Sequence, residues 1–72
     1  MPLSDALALF RRLGVNVESM NQRDFATSYF VLAKRYHPDR NPSSAELMAN
    51  INAARATILS SYQNQRLEDL EH

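Results

Sequence analysis

The chain has 72 residues, room for one small domain with one hydrophobic core, because folding at this size buries only roughly 60% of the surface the unfolded chain exposes and leaves no space for a large enclosed active site. With 44% hydrophobic and 22% charged residues it is too apolar for a disordered tail; with no cysteine and two histidines, His37 and His72, it has neither disulfides nor a metal-ligand set. Eight basic and eight acidic residues cancel, so the field that drives binding to a phosphate backbone is missing and no nucleic-acid partner is expected.

Ser4 is placed to cap a first helix over about Asp5 to Leu13, in which Leu7, Phe10 and Leu13 recur at helical spacing. Gly14 followed by Val15 supplies a left-handed stop. A second helix starts either at Ser19, with Gln22 three residues on, or at Asn21, with Asp24 in the same relation. From there Phe25, Tyr29, Leu32, Ala33 and Tyr36 fall on one helix face, which is expected to pack in the core. Pro38 ends this helix, since it lacks a backbone N–H and pushes the residue before it out of the helical region.

A loop follows from His37 to about Pro42. Ser43 with Glu46 then reads as a capping box before a third helix, whose apolar positions Met48, Ile51, Ala54, Ile58 and Tyr62 lie three and four apart. That helix is expected to reach about Ser61, after which Gln63-Asn64-Gln65-Arg66 holds at most a frayed fourth helix or a disordered end. No run of residues nears the roughly 18 apolar positions that span a bilayer, and the start lacks the order of charge, apolar stretch and cleavage site of a signal peptide. The sequence therefore reads as soluble, monomeric and cytoplasmic or in an organelle matrix, with no membrane contact. Residues 1–69 are expected to form the single domain, and Leu70-Glu71-His72 resembles the scar of an expression tag. The fold class is all-α, a hairpin of two longer antiparallel helices with the short first helix laid across it.

The chemistry concentrates in Tyr36-His37-Pro38-Asp39-Arg40-Asn41-Pro42. Pro38 fixes a torsion and extends His37, so the imidazole and the Asp39 carboxylate are displayed with little freedom left to lose on binding. An exposed carboxylate on such a turn suits a bidentate contact from a partner's arginine, and an imidazole can donate or accept a hydrogen bond. Taken alone, the tripeptide reads first as a helix stop followed by a turn. Charge is uneven along the chain: residues 23–40 carry Arg23, Lys34, Arg35 and Arg40 against Asp24 and Asp39. A charge-guided contact would use this stretch.

The stretch Tyr29 to Pro42, YFVLAKRYHPDRNP, resembles the J-domain signature, in which a helix of the form YxxLAxxYHPDKN ends in a histidine-proline-aspartate triplet. Phe10-Arg11-Arg12-Leu13-Gly14-Val15 looks like the end of that family's first helix, and Ile51-Asn52-Ala53-Ala54 like its third-helix INEA element. The resemblance covers roughly residues 5 to 60 and implies a co-chaperone module. His37, Pro38 and Asp39 would engage a DnaK-type heat-shock chaperone near its nucleotide-domain and linker interface and stimulate its ATP hydrolysis. Arg40, Lys34, Arg35 and Arg23 would assist the docking. The hydrolytic chemistry would belong to the partner, leaving this chain without catalytic residues, metal or cofactor.

The sequence departs from that pattern in three places. Ala26, Thr27, Phe30 and Val31 stand where the family's second helix usually carries bases, so electrostatic docking should be weaker. Arg55 stands where relatives commonly have an aromatic, and the family's fourth helix is not recognisable. A specialised relative, such as the J-proteins of iron-sulfur cluster assembly, fits a less basic second helix, and Phe30 with Val31 also fits a degenerate J-like domain that holds another partner without stimulating an ATPase. A helix-turn-helix reader of nucleic acid would need bases inside the third helix, which offers only Arg55. An enzyme would need a nucleophile, base and orienting group, and none can be picked out.

Overall fold

The computed structural model describes residues 1–71, of which 65–71 enter only as the last turns of a helix. Three helices account for most of them: α1 (Leu3–Arg12), α2 (Gln22–Tyr36) and α3 (Ala45–Glu71). Among the described residues there is no strand.

α1 begins two residues earlier than its sequence suggests. Pro2 is the extended N-cap residue and its carbonyl accepts the Ala6 N–H at 3.0 Å, so Ser4 lies inside the first turn and makes no side-chain cap. The other end stops as glycine demands. Gly14 sits at φ 87°, the Val15 N–H donates to the Phe10 carbonyl at 2.9 Å and the Gly14 N–H to the Arg11 carbonyl at 3.0 Å. That pair of bonds is a Schellman motif, and it turns Val15 back against the helix it follows. Val15 and Val17 are both buried, the second in a 3-10 turn over Val17–Ser19.

Of the two possible starts for α2, the asparagine is the one used: Asn21 Oδ1 accepts the Asp24 N–H at 2.8 Å. His37 closes the helix in an extended conformation, φ −61° and ψ 132°, as a residue before proline must. The entry into α3 differs from the expected capping box. Asn41 opens a 3-10 turn over Pro42–Ser44 by accepting the Ser44 N–H on its carbonyl, and the Ser43 hydroxyl donates to Asn41 Oδ1 at 2.7 Å instead of capping Glu46. α3 then continues through Gln63-Asn64-Gln65-Arg66 without a break, 27 residues or about 40 Å long. There is no separate fourth helix among the described residues, and His72 of the tag-like end lies outside them.

α2 and α3 run antiparallel. Met20 and Phe25 meet Tyr62, whose hydroxyl donates to the Met20 carbonyl at 3.0 Å, while Tyr29 further along α2 donates to Asn52 at 2.7 Å. α1 packs chiefly on α3 and does not lie evenly across the hairpin. The Met1 carbonyl accepts from the Thr57 hydroxyl at one end, and Phe10 meets Phe25 of α2 edge-on at 5.1 Å. Its buried face is Ala6, Leu9 and Phe10, with Leu7 and Leu13 half-buried at the rim. The expected face, centred on Leu7, Phe10 and Leu13, is therefore rotated. Ala6 of α1 and Ala54 of α3 are both fully buried in the core that the two helices share. Phe25, Leu32, Met48, Ile51, Ala54 and Ile58 complete the core, while Tyr29, Ala33 and Tyr36 pack against its edge.

Candidate functional site

The turn between α2 and α3 is held by one residue. The His37 carbonyl accepts the N–H of Arg40 at 3.0 Å and of Asn41 at 2.9 Å, and its ring Nδ1 accepts the Asp39 N–H at 3.2 Å. Three consecutive backbone donors thus bond back to the residue that Pro38 has already fixed in an extended conformation. The result is a rigid turn with outward side chains. The His37 side chain is 53% exposed and that of Asp39 92%, with Pro38 half-buried between them. His37 Nδ1 lies 3.7 Å from Asp39 Oδ2, too far for a hydrogen bond.

Beside this turn, Lys34 and Arg35 from the last turn of α2 and Arg40 and Asn41 from the loop line a shallow depression with Val31. Among residues 1–64 no carboxylate pairs with Lys34, Arg35 or Arg40; the ion pair found there is Arg11 with Glu18, at 3.3 Å. Lysine and arginine at a helix C-terminus are also favoured by the helix dipole, so their placement stabilises α2 as well as presenting charge. Arg23 stands apart. It is exposed in the first turn of α2, roughly 18 Å along the axis from Arg35. Helical spacing nevertheless sets Arg23, Thr27, Phe30 and Lys34 on one face.

That face also carries the largest apolar side chains α2 leaves in water, Phe30 at 64% exposure and Val31 at 59%. Two contributors were not evident from the residues alone. Asn41 lines the depression and initiates the 3-10 turn, for which its place before proline was the available signal. Arg55 lies 4.7 Å over the Tyr29 ring, clamping α3 to the α2 stripe from the solvent side, a contact worth about 0.5–1 kcal/mol.

The far end of the hairpin is different chemistry. Burial, reinforced by the nearby Asp24 carboxylate, raises the Tyr62 phenol above its ordinary pKa of 10.0. Among the described residues, no group of acidic or histidine side chains is placed to hold a metal ion, and no helix is long and apolar enough to cross a membrane. No family model, no curated protein and no solved structure matches this chain.

Proposed function

We propose that this chain is a J-domain that binds a DnaK-type heat-shock chaperone and stimulates its ATP hydrolysis. The observation that carries the reading is the His37-Pro38-Asp39 turn, held in its backbone by three hydrogen bonds and exposed at His37 and Asp39, at the end of an antiparallel helical hairpin. Such a turn pays little entropy on docking, and its carboxylate is free to take a guanidinium. Lys34, Arg35 and Arg40 lie beside it and speed the encounter with an acidic surface, while Arg23 adds a weaker contact from the other end of α2. Hydrolysis takes place on the chaperone, and this chain supplies a docking surface with no catalytic group.

A second reading draws on Phe30 and Val31, which are apolar and outward on the docking face. They favour a J-like domain that holds a different partner and leaves the ATPase unstimulated. Single-turnover hydrolysis by a DnaK-type chaperone, with and without the chain, separates the two. Stimulation supports the first reading, and an unchanged hydrolysis rate supports the second.

A further inference from the structure

We propose that the His37 ring is locked as its Nε2–H tautomer by the Asp39 backbone, so that the turn presents a fixed donor beside a free acceptor. Nδ1 fixes the tautomer. It accepts the Asp39 N–H at 3.2 Å, and an imidazole nitrogen that accepts a hydrogen bond carries no proton. In the neutral ring the proton then belongs to Nε2, on the edge opposite the bond to the turn. The ring is half exposed, so this N–H is offered to solvent or to a partner.

The Asp39 carboxylate stays uncommitted in the same state. Oδ2 is 3.7 Å from Nδ1, and the ring nitrogen's lone pair is used by the backbone N–H. A ring protonated on Nδ1 would instead lose the Asp39 N–H and aim its new proton at that carboxylate, consuming the acceptor. The backbone bond therefore keeps the two groups independent. Resting on the J-domain reading, this specifies the partner surface: a hydrogen-bond acceptor facing His37 beside a cation facing Asp39. An acidic patch alone does not complement it, nor does a basic one.

The first test needs no partner. Long-range proton–nitrogen correlation of the imidazole in the full chain, above the pH at which histidine protonates, should show the Nε2–H form alone, where a short His-Pro-Asp peptide shows a mixture. The Asp39 amide should share a through-bond coupling with Nδ1. A tautomer mixture matching the peptide, or an Nδ1–H ring, overturns the lock. The second test uses His37→Asn, whose side-chain oxygen can replace Nδ1 as the acceptor while its shorter amide places no N–H where Nε2 stood. Its Asp39 amide shift should stay close to wild type and its chaperone stimulation should be lost, whereas full stimulation by this variant overturns the donor's role. A wild-type chain that stimulates no DnaK-type chaperone removes the J-domain reading and leaves the tautomer result standing.

Discussion

Ile51→Ala tests whether the hairpin core lies where the packing puts it. Ile51 is fully buried on the inner face of α3, so the substitution removes three carbon groups from a site with no solvent to fill it. At about 0.8 kcal/mol per buried methylene, the lost transfer free energy is about 2.4 kcal/mol. A residual cavity raises the cost within the usual range of about 2–5 kcal/mol, while alanine's better helix propensity returns less than about 0.7 kcal/mol. A domain of 72 residues, at about 0.05–0.15 kcal/mol per residue, has about 4–11 kcal/mol in all. The variant should therefore lose about 15% of its stability at least, and at the upper end it should be largely unfolded. Urea denaturation followed by far-ultraviolet circular dichroism reads this directly: with a slope near 1 kcal/mol per molar, the midpoint should fall by about 2 M or more. Val31→Ala, on the exposed face, should change stability by no more than about 0.5 kcal/mol. An Ile51→Ala loss below about 1 kcal/mol, or one equal to that of Val31→Ala, would refute the assigned core.

Gly14→Ala should cost about 1–2 kcal/mol in the same urea assay, because Gly14 holds φ 87° and no heavy atom outside its chain neighbours lies within 4 Å of an added Cβ, leaving backbone strain as the whole effect. An unchanged midpoint would show that α1 does not end in the Schellman turn. The raised Tyr62 pKa predicts constant stability from this group below pH 10 and a loss as pH climbs from there toward the folded value, since the unfolded chain releases the phenolic proton first. Tyr62→Phe should abolish that part of the alkaline loss and, at neutral pH, forfeit about 1 kcal/mol with the bond to the Met20 carbonyl; denaturation at neutral and alkaline pH checks both. Replacing Lys34 and Arg35 together with alanine should weaken chaperone binding by about 1 kcal/mol, roughly five-fold, and flatten its salt dependence. A titration at two ionic strengths showing no change would remove the end of α2 from the docking surface.

The parts of the fold legible in the sequence are those where one residue has a single local solution. Pro38 ends α2, Gly14 ends α1, and the spacing of Met48, Ile51, Ala54 and Ile58 fits the buried face of α3. The face of α1 was not legible, because its ten residues hold Leu3, Ala6, Leu7, Leu9 and Phe10 and apolar residues occur on more than one side. Only the close packing on α3 chooses Ala6 and Leu9 over Leu7. Val15 and Val17 sit outside any helical period, so no repeat announces their burial. The length of α3 was hidden for the opposite reason: glutamine, arginine, leucine and glutamate sustain a helix by propensity without an apolar stripe to mark it. At the candidate site the types and order of His37, Pro38 and Asp39 could be read directly. The bond from the Asp39 N–H to the imidazole could not, because it depends on a torsion of the ring that no spacing encodes.

Asp39 carries the proposed docking contact, and its side chain is 92% exposed and contributes nothing to the core. Its most direct test compares the wild-type chain with Asp39→Asn in single-turnover ATP hydrolysis by a DnaK-type chaperone, with the helical spectrum and urea midpoint of both chains recorded alongside. The wild type should accelerate hydrolysis and Asp39→Asn, equally folded, should not, because the carboxylate makes the docking contact. Equal stimulation by the two chains, or none by the wild type, would contradict it.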